Sequence, residues 1–269
     1  QKTAYEMLRS LVGSEMCIRD RYQEVFYEYF FHMARGYRSF ISENTILRDS
    51  WMKITYNNTP AGYTFSSLEI NDNDPIRHFV FENKLFLKIN LLGEKQSLSI
   101  DTAVYLDAFY QMNYFSMLMS SRNYRLSVTG QRKIKESFHV TMLANNQKSD
   151  FDINIPDDVI IFSPLTESLI KNLKLNQKIK IKLFDPFSLA TTIAIIKVLR
   201  EEEVRIGGTN IYARVLQTDA AGITTLTWID NNGYTIRHET PLWQMEQCSP
   251  ADALAIICLL YTSPSPRDS

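Results

Sequence analysis

The chain has 269 residues, with 29 Lys and Arg against 30 Asp and Glu, and 45% of its residues are apolar. This composition is typical of a soluble globular protein and excludes collagen-like, disulfide-rich and disordered classes. The near-neutral charge gives no electrostatic reason to expect nucleic acid as a partner, and no apolar run reaches the roughly 18 residues that span a bilayer.

Both ends of the chain resemble translated sequencing adapters. Residues 11–20 read LVGSEMCIRD and residues 258–268 read CLLYTSPSPRD, and the two strings are encoded by one adapter sequence read in opposite directions. We therefore assign residues 1–21 and 258–269 to adapter DNA and exclude them from the fold. The remainder, 22–257, is expected to be a metagenomic fragment, and any export signal, anchor or further domain of the protein would lie outside it. Its single cysteine, Cys248, has no partner for an internal disulfide.

The first segment, 22–48, is predicted to be an amphipathic helix followed by a polar connection. Between residues 22 and 41, apolar side chains recur at steps of three and four, the spacing of one helix face. These side chains are Phe26, Phe30, Met33, Tyr37 and Phe40. Such a helix either packs on its own domain or docks on a membrane or partner.

The second segment, 49–257, is predicted to be mainly β: a long antiparallel meander of curved sheets. After residue 50 the hydrophobic period becomes two, and turn sequences such as NNTPAG and NNG separate the runs. The exception is a short helix at 163–173, where Pro164 follows Ser163 and leucines recur at helical spacing. The predicted strands are 51–56, 63–70, 79–92, 95–106, 109–121, 124–129, 133–144, 178–184, 191–205, 210–218, 223–230 and 234–239.

The residues offer no catalytic, cofactor or metal site. His32, His78, His139 and His238 are dispersed, without a metal-ligand spacing. Cys248 with His238 as base is one interpretation, but helix capping by Ser249 explains the same stretch better. The acidic run 71–74 lacks the glycine and distant glutamate of a calcium loop and is predicted to be a turn. Lys178, Lys180 and Lys182 are expected on a solvated face.

The least ordinary stretch is 105–119, where both faces of a predicted strand are apolar. Tyr110, Met112 and Tyr114 occupy one face, and Phe115 and Met117 occupy the other. A strand with two apolar faces must be shielded from water on both faces. Either another sheet or a helix packs against these faces, or these five residues line a groove for an apolar ligand.

Several short motifs resemble the non-catalytic N-terminal β domain of bacterial transglutaminase-like proteins. They are Trp51 with Gly62-Tyr63, Phe184-Asp185-Pro186, Val204-Arg205-Ile206-Gly207-Gly208, Trp228-Ile229-Asp230, Glu239-Thr240-Pro241 and Pro250-Ala251-Asp252-Ala253-Leu254-Ala255. The resemblance covers about residues 50–255. In that family the catalytic Cys, His and Asp lie beyond the tail that matches Ala255, so none is carried over. The family's β domain is similar to the curved-sheet modules of lipoprotein carriers.

The resemblance implies a non-catalytic accessory domain that positions or presents substrate to a downstream catalytic domain of the same chain. It implies a periplasmic or cell-envelope location in a bacterium, and a complete gene product that is a transglutaminase-like cysteine enzyme. The alternative is a stand-alone envelope carrier that binds a lipid or apolar peptide in a sheet groove. An enzyme with its own active site in 22–257 ranks last, because no set of nucleophile, base and orienting group is evident.

Overall fold

The computed structural model describes residues 32–33, 36–39, 41, 48–71, 73–91, 94–161 and 173–262. Within these ranges the chain forms sixteen β-strands, one 3-10 helix (Gly36–Ser39) and one α-helix, α1 (Pro250–Thr262). The first strands are β1 (His32–Met33), β2 (Arg48–Tyr56), β3 (Thr59–Ile70), β4 (Phe79–Leu91) and β5 (Glu94–Leu106). They are followed by β6 (Met112–Ser121), β7 (Arg125–Ile134), β8 (Ser137–Ala144), β9 (Gln147–Asn154) and β10 (Val159–Ile161). The last are β11 (Lys178–Asp185), β12 (Ala190–Ile206), β13 (Thr209–Ala220), β14 (Ile223–Asp230), β15 (Thr235–Glu239) and β16 (Gln244–Gln247).

All of these strands belong to one sheet built from two antiparallel meanders. Strands β2 to β9 form one meander and β11 to β16 form the other, and within each meander strands adjacent in the chain pair with each other. The pairing of β16 with β2 joins the meanders, and the short strands β1 and β10 both lie parallel along β11. Among the described strands, β9 therefore forms one edge of the sheet, while β1 and β10 cover the other.

The prediction of a mainly β, antiparallel meander is confirmed. Two of the predicted turns show how the sequence determines the hairpins of the meander. Asn57-Asn58 and Gly207-Gly208 both have two successive positive φ angles. Hairpins with two-residue loops need this backbone conformation because it matches the right-handed twist of the strands. Asn and Gly are the residues that adopt it at least cost.

The last part of the first meander differs from the sequence prediction. The predicted strand 133–144 is broken at Lys135, which has a φ of 51°, so that β7 ends at Ile134 and β8 begins at Ser137. Strand β9 was not predicted, because its outward residues are charged and only Phe151 and Ile153 pack against the core. Charged side chains on an edge strand discourage pairing with other chains.

The predicted N-terminal helix is wrong for the residues that the structure describes. His32–Met33 is a strand and Gly36–Ser39 a single 3-10 turn. Apart from Ile41, which is buried, the rest of 22–41 lies outside the described residues. Gly36 has a φ of 57°, and a Cβ there would lie 2.5 Å from the carbonyl oxygen of Asp157. This conformation places Tyr37 in the core, where its hydroxyl oxygen accepts a hydrogen bond of 3.0 Å from the backbone N–H of Ile161.

Of the other two predicted helices, one lies almost wholly outside the described residues and the start of the other is confirmed. The inserted helix 163–173 lies outside the described residues except for Leu173, which is buried. The start of α1 is confirmed, because the Ser249 hydroxyl accepts the Asp252 N–H at 3.1 Å and donates to the Asp252 carboxylate at 2.7 Å. This is a reciprocal N-cap. Helix α1 contacts β2 and β3 and ends at Thr262, inside the segment that we assign to adapter DNA.

The main hydrophobic core forms because the sheet curls until its two ends face each other. Phe115 on β6 packs against Phe184 on β11 with ring centroids 5.5 Å apart, and both rings are buried. Gly130 on β7 leaves room for the Phe115 ring, since a Cβ at Gly130 would lie 2.1 Å from it. Any side chain at position 130 would therefore displace the contact that joins the two ends.

A second cluster lies on the outer face of the second meander and is centred on Trp228. On β13, Leu216 belongs to the main core and its neighbour Val215 belongs to the Trp228 cluster, so the two residues point to opposite faces. The indole N–H of Trp228 donates to Glu202 at 2.7 Å, and the Arg237 guanidinium lies 5.7 Å from the ring centroid. Trp228 is 4% exposed, as expected of a core anchor.

We predict that Trp228→Ala lowers the free energy of unfolding by about 3–5 kcal/mol, the usual cost of removing a buried aromatic ring. Urea denaturation measures the change. Phe109→Ala is the matched control: Phe109 is 79% exposed, and its removal should cost under about 0.5 kcal/mol. Equal effects of the two substitutions would show that Trp228 does not anchor this cluster.

Candidate functional site

An apolar cavity of about 290 Å³ lies where the two ends of the curled sheet approach each other. One wall comes from the first meander and is formed by Asn83, Leu85, Ile100, Thr102 and Met117. The opposite wall contains Ile161, Leu183, Phe184 and Thr192, and the turn Asp185–Phe187 lies at the rim. The cavity thus depends on the same curling of the sheet that forms the main core.

Strand register explains why these side chains share one space. Asn83 is opposite Thr102 on β5, and Thr102 is opposite Met117 on β6. Across the cavity, Leu183 on β11 is opposite Thr192 on β12. Directly opposed residues of neighbouring strands point to the same face, so each row presents its side chains together to the interior.

The deep part of the cavity is apolar. Met117, Ile161, Leu183 and Phe184 are all buried and belong to the main core. A hydrocarbon group placed against them would lose its contact with water, which stabilises binding by about 25 cal/mol for each Å² of apolar surface buried.

Uncharged polar groups lie beside this apolar part. The Asn83 side-chain amide donates to the Ser66 hydroxyl at 2.7 Å, and the Thr64 hydroxyl lies 3.5 Å from the same nitrogen. Ser66 and Thr64 are buried and lie beside Asn83 on the neighbouring strand β3. The Asn83 amide therefore has a fixed position, and it presents neutral hydrogen-bonding groups to the cavity together with the Thr102 hydroxyl.

The rim carries a carboxylate that is held by its own turn. Asp185 accepts hydrogen bonds from the backbone N–H of Phe187 at 2.9 Å and from the Ser188 hydroxyl at 2.6 Å. This Asx turn folds the chain back from β11 into β12. It also brings Phe187, which is 37% exposed, to the mouth of the cavity.

The five residues predicted to line a groove are separated by the structure. Met117 lines the cavity, whereas Met112 and Phe115 are buried in the main core. Tyr110 lies in the turn before β6 and stacks on Phe79 with ring centroids 5.0 Å apart. Tyr114 packs edge-on against Tyr105, whose ring lies beneath Arg77.

A break in strand pairing explains this separation. Leu106 is opposite Met112 and Tyr105 is opposite Tyr114, so Asn113 is an additional residue on β6. An extra residue of this kind reverses which side chains face inward. Met112 and Phe115 therefore both face the core, although strict alternation places them on opposite faces.

Most of the residues that line the cavity carry no signal of a site in the sequence. Leu183 falls within the predicted strand 178–184, and Phe184-Asp185-Pro186 is one of the motifs that resemble the transglutaminase-like family. The available signal was the inward row Leu98, Ile100, Thr102 and Val104, in which Thr102 interrupts an apolar series. Nothing local indicates that β11 faces this row.

The remaining candidate residues have structural roles in the parts described. Burial and the Asp252 carboxylate raise the pKa of the Cys248 thiol, the opposite of what a nucleophilic cysteine needs. His238 is buried and hydrogen-bonded to the Thr227 hydroxyl at 2.8 Å. Asn71 and Asp74 accept backbone N–H groups two residues ahead, as turn residues do.

Charged side chains on the surface pair with each other. Lys182 binds Asp158 at 2.6 Å, and hydrogen bonds from His139 and Lys133 hold the pKa of Asp152 below its usual value. Arg132, beside an open polar cleft of about 660 Å³, is held by Asp157 and by the carbonyl oxygen of Met112. Within the described ranges, no group of three or more His, Cys, Asp or Glu side chains is arranged to hold a metal ion.

Among known proteins, the similarity found for this chain is one of fold. No family model and no curated protein matches this sequence. The structure is similar to the β-barrel-like protein of domain of unknown function DUF1849 from Brucella abortus, with a TM-score of 0.50 and 9% identity over 75% of this chain and 94% of that one. A DUF1089 family protein from Pseudomonas aeruginosa gives a TM-score of 0.38 and 14% identity over 68% and 91% of the two chains, too low to define a shared fold.

The described part of the chain contains no helix with the length and apolarity needed to cross a membrane.

We predict that Cys248 is a slowly reacting thiol. Because its pKa is raised and its side chain is half-buried, iodoacetamide at pH 7.5 should modify it more slowly in the folded protein than in urea. The measurement uses a chain with Cys17→Ser and Cys258→Ser, so that Cys248 alone reacts. Faster modification of the folded protein would indicate an activated thiolate.

Proposed function

We propose that this chain is a non-catalytic binding module that holds an apolar ligand in the cavity between the two ends of its sheet. The observation that carries the proposal is the cavity itself: a buried apolar floor, a few fixed polar groups and a mouth at the surface. Ligand sites in proteins commonly combine these features. The volume of about 290 Å³ suits a single chain or small group and is too small for a folded partner.

The chemistry of the described residues supports a binding role over a catalytic one. A cysteine enzyme requires a thiolate with a base and an orienting group within hydrogen-bond reach. The pKa of Cys248 is raised, and the Ser249 beside it is occupied as the cap of α1. In the cavity wall, the hydroxyls of Thr102 and Thr192 have no histidine beside them among the lining residues.

The family resemblance supplies a setting for this module. As the accessory β domain of a bacterial transglutaminase-like envelope protein, it would present an acylated or apolar substrate to a catalytic domain of the same chain. The alternative is a stand-alone carrier in the cell envelope, with the cavity as its complete functional site. The sequence of the intact gene beyond Ala255 distinguishes these settings, because only the first continues into a segment with Cys, His and Asp in that order.

Binding of N-octyl dansylamide, an uncharged fluorescent amphiphile, tests the proposal. We expect the probe to bind at micromolar protein and Thr192→Phe to weaken binding at least about tenfold, because the ring fills the cavity from its wall. Ile193→Phe is the matched control: the next residue on β12 points to the opposite face and is 55% exposed. Both variants are first checked by thermal melting, since overpacking can also destabilise a fold.

Two results would contradict the proposal. One is the absence of probe binding to the unmodified chain. The other is equal weakening by Thr192→Phe and Ile193→Phe, which would place the probe elsewhere on the surface.

A further inference from the structure

We infer that the cavity selects an uncharged amphiphile, namely the amide or ester of an unbranched acyl chain about eight carbons long within the cavity, over the corresponding free fatty acid. This inference rests on the proposed function and deepens it by naming the class of ligand.

The charge of the cavity lining disfavours an anionic ligand. Among the described residues that line the cavity, none is Lys, Arg or His, and Asp185 is the one ionisable side chain. A ligand carboxylate that enters this space would give up water without gaining a cationic partner. Burial of an unpaired charge is far more costly than burial of a neutral polar group.

Asp185 adds a fixed negative charge to the lining of the cavity. Its carboxylate is held at the rim by donors from its own turn, Phe187 N–H and the N–H and hydroxyl of Ser188. Because Asp185 is a lining residue, this fixed negative charge lies close to any ligand that occupies the cavity. Two carboxylates near each other repel, so Asp185 disfavours an anionic head group.

The polar groups in the wall of the cavity are neutral. The Asn83 amide, fixed by Ser66, lies directly opposite Thr102 on the neighbouring strand. An amide carbonyl and a hydroxyl can exchange hydrogen bonds with the amide or ester group of a ligand without any net charge. The polar contacts in the cavity therefore match an uncharged head group.

The size of the cavity sets the length of the chain. A volume of about 290 Å³ accommodates about ten non-hydrogen atoms, if each occupies roughly the 30 Å³ that a water molecule takes in the liquid. Octanamide has about that number of atoms. A longer chain or a larger head group would extend through the mouth past Phe187.

The test is competition between octanamide and octanoate for N-octyl dansylamide bound to the full chain at pH 7.5. We expect octanamide to displace the probe at a concentration at least about tenfold lower than octanoate, which corresponds to about 1.4 kcal/mol. N-octanoylglycinamide forms a third arm: displacement at a lower concentration than octanamide indicates an acylated peptide end as the natural source, and equal displacement indicates a simple lipid amide.

Asp185→Asn tests the origin of the selectivity. Asn keeps the side-chain acceptor that the turn needs and removes the charge, so the preference for octanamide over octanoate should fall several-fold. Asp230→Asn is the control, because Asp230 holds a similar turn through the N–H groups of Asn232 and Tyr234 but does not line the cavity. The Asp230→Asn variant should keep the preference for octanamide over octanoate.

The possible outcomes distinguish the inferred selectivity from the binding function itself. Displacement by octanoate at an equal or lower concentration than octanamide overturns the inferred selectivity and leaves the binding function standing. A preference that Asp185→Asn does not change also overturns it. Failure of the dansyl probe itself to bind overturns the proposed function.

Discussion

The contact between Phe115 and Phe184 is the interaction on which the rest of the structure depends. The two rings come from strands near opposite ends of one continuous sheet, and they meet in the interior with centroids 5.5 Å apart. Sheets twist naturally, but twist alone does not bring distant strands face to face. Burial of these two rings, together with the other side chains of the main core, stabilises the curled sheet, and Gly130 provides the space beneath Phe115 that makes the approach possible.

The cavity follows from how this interior is filled. Around the aromatic contact the core is closed by Val128, Phe138 and Val140, all fully buried. Towards β4 and β12, smaller and polar side chains such as Thr102 and Thr192 replace large apolar ones, and the opposing walls do not meet. Close packing is the ordinary state of protein interiors, so a gap with an apolar floor and fixed neutral polar groups is a feature that a ligand explains. The absence of a cation in the described lining then favours an uncharged ligand.

Much of the local structure could be predicted from the sequence, whereas the site could not. Period-two patterns and turn residues such as Asn57-Asn58 identified most strands of both meanders, because strand alternation and hairpin chemistry are local properties. The extra residue at Asn113 changed the faces of β6, and Gly36 replaced helix with a tight turn around Tyr37, because contacts distant in sequence override local pattern at both places. Of the five residues proposed for a groove, Met117 alone lines the cavity. The lining residues on β10 to β12 come close to Met117 because Phe115 packs against Phe184. No local sequence pattern encodes this approach of the two ends of the sheet.

Methyl NMR of the chain labelled at methionine tests the central claim most directly, because it locates a ligand without any substitution. Met117 lies in the cavity wall, Met112 lies beyond the break in pairing on the same strand, and Met245 belongs to a separate cluster. On addition of octanamide, the account predicts a saturable shift of the Met117 methyl resonance that is larger than the shifts of Met112 and Met245. An unchanged Met117 resonance, with probe binding intact, would contradict the assignment of this cavity as the binding site.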